Sequence, residues 1–319
     1  LEILEKNEKE FILRLKASPK NLRNFYKVML LCYKKTNQPT QVNKYQVLVA
    51  QLQTPPANNW ENLNKKGTKA YREGNYRQAI IFFEKAKAQA AKEFGKSHMK
   101  YATACNNLAL LYSNQGRYSK AEPLYLEAKQ ICKKILGKDH PNYAAYCNNL
   151  AGVYNSQGRY SKAEPLLLEA KQIRAKVLRE NHPDYAASCS NLAGLYKSQG
   201  LYSKAEPLYL EAKNIFANKL GKDHPHYATS CNNLAGLYES QGLYSKAEPL
   251  CLEAKNIDAK VLGKDHPNYA TSCHNLANLY ESQGLYSKAE PLYLEAKQIR
   301  EKVLGKNHPD YANSCSNLA

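Results

Sequence analysis

Histidine and cysteine are the residue types in this 319-residue chain whose spacing could do chemistry. His140, His182, His224, His266 and His308 each precede a proline and recur every 42 residues. Imidazoles invite acid–base or metal chemistry. None, however, has a paired carboxylate or second ligand at useful spacing, and each falls where a helix should start. A capping or inter-repeat hydrogen-bonding role is therefore favoured. Cys105, Cys147, Cys189, Cys231, Cys273 and Cys315 share the same period. Equivalent positions in stacked units lie about 8–10 Å apart, beyond the ~7 Å between Cα atoms that a disulfide spans. They read as small buried fillers. Cys32, Cys132 and Cys251 lie outside the register and lack ligand partners nearby, and no Cys-x-x-Cys occurs. With no phosphate-binding glycine loop, nucleophile elbow or zinc helix either, no catalytic residue, metal or cofactor is expected. A non-enzymatic protein in a reducing, cytoplasmic setting is the expectation.

The elements that carry these residues follow from the same 42-residue period, the mark of stacked units that cannot bury their apolar faces alone. In the unit 231–272, Cys231, Leu234, Ala235 and Tyr238 fall at i, i+3, i+4 and i+7, one stripe of a helix A. Gln241-Gly242 should close it. Ala247, Leu250, Cys251, Ala254 and Ile257 stripe a helix B, for which Ser245 and Glu248 predict a capping box. Pro249 near its first turn forfeits at most one hydrogen bond. Gly263 should end helix B, and Pro267 opens the next helix A.

The Leu-Ala-x-x-Tyr, Gly-x-Tyr-x-x-Ala and later Ala positions resemble the tetratricopeptide repeat. Asn-Asn-Leu-Ala followed by Leu-Gly-Lys-Asp-His-Pro is similar to its 42-residue, kinesin light chain-like version, also found in many bacterial repeat proteins. The resemblance covers roughly residues 57–319. It implies an all-α solenoid, a right-handed superhelix of antiparallel helix pairs whose concave wall is helix A and whose ligands lie there as extended peptides. The array is expected over 57–319, as units 57–98, 99–140, 141–182, 183–224, 225–266 and 267–308 with a partial unit 309–319. Residues 1–56 form a divergent helical segment, with stripes at Leu4, Phe11, Ile12 and Leu15, at Asn21 to Lys35, and at Val42 to Leu52. Its second and third helices could be a capping repeat. The first is too short for a lasting coiled-coil seam, which counts against a motor-adaptor role. The chain starts at Leu1 without a signal-peptide pattern and stops within a helix A, so a longer natural protein is expected.

Net charge is +18, spread along the array, which raises attraction for any anionic partner without choosing one. No apolar run approaches the ~20 residues that span a bilayer, and no membrane role is expected. The regular repeats also lack the aromatic and basic interleaving of a nucleic-acid stacking platform, so only nonspecific nucleic-acid attraction is expected. Lys129, Lys171, Lys213 and Lys255 should solvate the convex side.

On the helix A face opposite the Leu-Ala-Tyr stripe stands an asparagine ladder, Asn107, Asn149, Asn191, Asn233, Asn275 and Asn317. In the resembled family an asparagine here holds the ligand backbone, and a carboxamide offers both donor and acceptor. The ladder could equally bridge adjacent repeats. The preceding position varies as Asn106, Asn148, Ser190, Asn232, His274 and Ser316. A turn on come Gly152, Gly194, Gly236 and Asn278, then Asn155, Lys197, Glu239 and Glu281. Glycines leave room for a ligand side chain, and Lys197 against Glu239 and Glu281 suggests a groove that changes sign. The function expected is a scaffold that captures an extended segment of a partner protein, an acidic one being favoured by the charge. The alternative is the sensing arm of a larger protein with an effector beyond residue 319.

Overall fold

The computed structural model describes residues 19–51, 59–306 and 308–316. Every element among them is a helix. The chain divides into two units, 1–63 and 64–319. In the first, α1 (Pro19–Lys35) and α2 (Pro39–Gln51) pair around buried Phe25, Tyr26, Met29, Tyr33, Tyr45 and Val49. The stripe expected at Leu4, Phe11, Ile12 and Leu15 lies outside the described residues.

Helix α3 (Trp60–Arg72) crosses the division and opens the array, followed by α4 (Tyr76–Phe94), α5 (Met99–Asn114) and α6 (Tyr118–Leu136). Then come α7 (Pro141–Ser156), α8 (Tyr160–Leu178), α9 (Pro183–Ser198), α10 (Tyr202–Leu220), α11 (Pro225–Ser240), α12 (Tyr244–Val261), α13 (Pro267–Ser282), α14 (Tyr286–Leu304) and α15 (Pro309–Ser316). Odd-numbered helices from α3 on are the A helices and even-numbered ones the B helices. The result is an all-α solenoid in which, from α4 to α15, each helix packs on the next.

The A stripe is buried as its spacing predicts: Cys231, Leu234, Ala235 and Tyr238 all lie in the core. That core runs on from unit to unit, with Tyr185 and Cys189 of α9, Phe216 of α10, Tyr227 and Cys231 of α11 and Ile257 of α12 in one cluster. Truncating a leucine such as Leu234 to alanine should cost ~2–5 kcal/mol. Alanines at 212, 228 and 254 have no exposed surface, which lets neighbouring backbones approach. Gly67 serves the same end in α3, because a Cβ there would sit 2.7 Å from the Phe83 ring.

The recurring histidines that precede each helix A from α5 on are caps. His98, His140, His182, His224 and His266 stand at N-cap positions, and each Nδ1 accepts the backbone N–H two residues on at 3.1 Å. His308 accepts from Asp310 N–H in the same way. This satisfies one of the donors a helix start leaves orphaned and fixes the acceptor nitrogen of the ring.

The capping box expected of Ser245 and Glu248 does not form. Helix α12 starts at Tyr244 after Leu243, which has no side-chain cap bond, so Ser245 is already inside the helix. Glu248 instead accepts the Tyr280 hydroxyl of the next unit at 2.9 Å. Tyr154–Glu122, Tyr196–Glu164 and Tyr238–Glu206 repeat this tie at 2.8–2.9 Å. A carboxylate turned outward to the next repeat gains a charge-assisted bond that a local cap would have forgone.

Candidate functional site

Successive A helices touch one another, α5 with α7, α7 with α9, α9 with α11 and α11 with α13, whereas successive B helices do not approach as closely. Curvature therefore brings the A helices to the inner wall. On that wall α5, α7, α9 and α11 enclose a concavity of about 470 Å³. Its lining includes Asn148, Asn149, Asn155, Ser190, Asn191 and Asn233, with Gly152 and Gly194 between them. Four predicted groove residues, Asn148, Asn149, Asn191 and Asn233, thus share one hollow.

The predicted asparagines divide into two kinds. At the start of the array Asn107 Nδ2 donates to Asn64 Oδ1 at 2.9 Å, and Asn149 Nδ2 donates to Asn106 Oδ1 at 2.8 Å. These bonds cross from unit to unit. In the hollow the pattern stops: both amide atoms of Asn148, the Asn155 Oδ1 and the Ser190 Oγ are buried without a hydrogen-bond partner. Asn148 is 9% exposed, so water does not meet its needs freely. Unpaired buried polar groups cost about 1–3 kcal/mol each, and such a cluster calls for an external partner. Further along, Asn232 Nδ2 donates to Ser272 Oγ at 2.9 Å while its Oδ1 is unpartnered. Asn275 is half-buried in α13, and Asn317 lies outside the described residues.

The electrostatics of the wall change along its length. Lys197 reaches over the next unit, where a Cβ on Gly236 would lie 2.9 Å from its Nζ. It is half-buried and forms no ion pair within 4.0 Å among the described residues. Burial pulls its ammonium below the usual lysine range, and the Glu239 carboxylate acts the other way. Glu239 accepts from Ser282 at 3.0 Å. Glu281 and Asn278 accept from the Tyr293 hydroxyl. His274 packs edge-on against Tyr293 with ring centroids 5.3 Å apart. Burial, and after it the Arg300 charge, pull the His274 imidazole down to about 4, so it is neutral at physiological pH.

Two features of the packing had no signal in single residues. Five of the six register cysteines are buried, as expected of a filler, while Cys315 is half-buried; each of the five also places Sγ 3.5–3.7 Å from a glutamate of its own unit: Cys105–Glu127, Cys147–Glu169, Cys189–Glu211, Cys231–Glu253 and Cys273–Glu295. Burial pushes these thiols up to about 12, which leaves them protonated and unreactive. The same glutamates accept hydroxyls from Tyr101, Tyr185, Tyr227 and Tyr269 at 2.9–3.0 Å. Lys171 and Lys213 pair with Glu211 and Glu253 at 3.8 and 4.0 Å, and Lys129 and Lys255 lie over Tyr143 and Tyr269 rings. The fixed distance of 22 residues between Cys and Glu was the available clue. Second, at one register α8 holds Arg174 half-buried while α12 and α14 bury Asp258 and Arg300, each bonded to a serine of the following helix, Ser188, Ser272 and Ser314.

Among the described residues no group of His, Cys, Asp and Glu could hold a metal ion, and no helix is long and apolar enough to cross a membrane.

The chain is similar to BtubC (BKLC) from P. vanneervenii, at 26% identity and a TM-score of 0.54 over 76% of this chain and 92% of that one. It is also similar to a Podosopora anserina putative kinesin light chain with nearly identical TPR-like repeats, at 31% identity and a TM-score of 0.51 over 64% and 97%. A Rap protein solved with Competence and Sporulation Factor shares the fold alone, at 16% identity and a TM-score of 0.60 over 86% and 78%. No curated protein matches the sequence. The tetratricopeptide repeat family profile matches residues 61–134, 102–176, 145–218, 184–250, 228–302 and 274–319. Covering the array from its first unit to its last, these matches establish that the chain belongs to the tetratricopeptide repeat family.

Proposed function

We propose that the array is a non-enzymatic scaffold that holds an extended peptide segment of a partner protein against its A helices. The observation that carries this reading is the cluster of unpartnered groups in the 470 Å³ hollow: the Asn148 amide, Asn155 Oδ1 and Ser190 Oγ. An amide lacking both a donor and an acceptor partner pairs with a peptide group of any sequence. Gly152 and Gly194 meet no atom closer than 3.4 Å at the place of a Cβ, so ligand side chains have room there. Lys197, desolvated and without a close carboxylate, supplies the counter-charge for a ligand Asp or Glu, and the net charge of +18 draws such a segment in. Asn191, Asn233 and Asn275 extend the same wall. The nine free thiols suit a reducing compartment, and we place the protein in the cytoplasm.

The test is affinity selection from a synthetic peptide library, comparing the native array with an Asn148→Ala/Ser190→Ala variant at ~150 mM salt. The native array should enrich peptides carrying an acidic residue. The variant should lose them while its helical circular dichroism is unchanged, and Lys197→Met should abolish the acidic preference alone. If the variant selects the same peptides with the same affinity, the hollow is not the binding site.

A further inference from the structure

Two turns separated by more than five units meet. The Tyr76 hydroxyl is hydrogen-bonded to Nε2 of His308, 232 residues away, and their rings lie 5.2 Å apart. Gly74, at φ +71°, comes so close to the other turn that a Cβ would stand 2.7 Å from the Leu304 carbonyl oxygen. Because His308 Nδ1 accepts the Asp310 N–H, a neutral ring carries its proton on Nε2 and donates it to Tyr76. The contact also shields the imidazole. The His308 side chain is 11% exposed, against 41% for His182 at the same place in an earlier unit.

The turn at 73–77 joins helix A to helix B, and the turn at 304–308 joins one unit to the next. These two kinds of turn lie at opposite edges of a helix-pair layer. For one to touch the other after a full circuit, the path must rise by the width of that layer, as in a lock washer. We infer that units one to six close into a ring, sealed at a seam between Gly74–Tyr76 and Leu304–His308, and that this seam is where the ring opens. Between consecutive units the ring is held by buried apolar packing, as in the cluster that joins α9 to α12 from Tyr185 to Ile257. Among the described residues the seam is held by one hydrogen bond, one pair of rings and a backbone approach, around a hollow of about 600 Å³ lined by Glu73, Arg77 and Lys306 among others. The least-buried interface is the first to part. With the seam shut, the A-helix wall is reached only along the ring axis; with it parted, the wall is reached from the side.

The test uses the full chain with Cys32→Ser and Cys315→Ser, since the other seven cysteines are buried, and adds Asn75→Cys with Lys306→Cys. A short bismaleimide should link the two new thiols within one molecule, far faster than it links Asn75→Cys to Lys222→Cys, a position two units earlier. Adding Tyr76→Phe or His308→Asn should slow the link by about tenfold, the factor one such hydrogen bond is worth. Asparagine keeps the helix cap, and His266→Asn, the same cap away from the seam, should change nothing. Equal rates for the 306 and 222 pairs would overturn the ring. A link indifferent to both Tyr76→Phe and His308→Asn would overturn the seam as its latch.

Discussion

Replacing Arg179 with glycine should stabilise the array. At the end of most B helices the chain passes through a glycine with φ between 80° and 87°: Gly95, Gly137, Gly221, Gly263 and Gly305. Arg179 occupies the corresponding place with φ 72° and ψ 157°, a combination that is almost exclusive to glycine and costs a side-chain-bearing residue about 1–3 kcal/mol. The backbone bonds of the turn, Arg179 N–H to Ala175 O at 3.0 Å and His182 N–H to Arg179 O at 3.2 Å, survive the change. The arginine side chain is exposed, so little packing is lost. Glycine's greater freedom when unfolded takes back about 0.5–1 kcal/mol. The net gain is then about 1–2 kcal/mol, a shift of roughly 0.5 M in the urea midpoint followed by circular dichroism at 222 nm. The reverse change, Gly221→Arg, should lower the midpoint by a similar amount, and measuring both guards against effects of charge alone. A midpoint for Arg179→Gly that is unchanged or lower would refute the strain argument.

Asp258 is 3% exposed, and its Oδ1 has no partner; burial raises its carboxyl, with the Ser272 bond and His266 opposing. A raised folded value means the charged form costs stability above it and the cost is relieved as pH falls through it. Asp258→Asn should therefore raise the melting temperature at pH 7, with the advantage shrinking in acid; an advantage independent of pH would count against this account. Burial and the bonds to Glu164, Glu206 and Glu248 push the hydroxyls of Tyr196, Tyr238 and Tyr280 up to about 12. Stability that is fully present below pH ~10 should then be lost as pH rises from there toward 12, together with a rise in tyrosinate absorbance at 295 nm. Absorbance rising near pH 10 while the helices persist would contradict it. Tyr238→Phe, which deletes one such tie, should cost about 1–2 kcal/mol in urea denaturation, and an unchanged midpoint would show the tie to be idle.

Much of this molecule is local and was legible as such. The A and B stripes, the glycines after most helices and the histidine caps depend on residues within one or two turns of each other, and the 42-residue period repeats them. Helix geometry alone fixes which of those share a face. The tyrosines were legible as packing residues with bonded hydroxyls, but not their partners, which lie 32 residues back on the preceding unit. For the same reason Glu248 read as a cap: at three residues' distance a Ser and a Glu make a plausible local pair, and only stacking offers the carboxylate a better one.

The asparagine ladder shows the division most clearly. Spacing placed every rung on one face, yet identical residues differ in what they do. At the position beside the ladder, Asn106 accepts from Asn149 of the next unit, whereas Asn148, its equivalent one unit on, has both amide atoms unpaired in the hollow. That difference arises although the next unit presents an asparagine in both cases, Asn149 and Asn191, and so depends on the winding of the stack. The seam between Tyr76 and His308 depends on the same winding accumulated over five units. A repeat sequence by itself determined the unit and its local bonds. Only the tertiary structure decided how units turn relative to one another, because small rotations at each interface add along the array until distant turns either meet or miss.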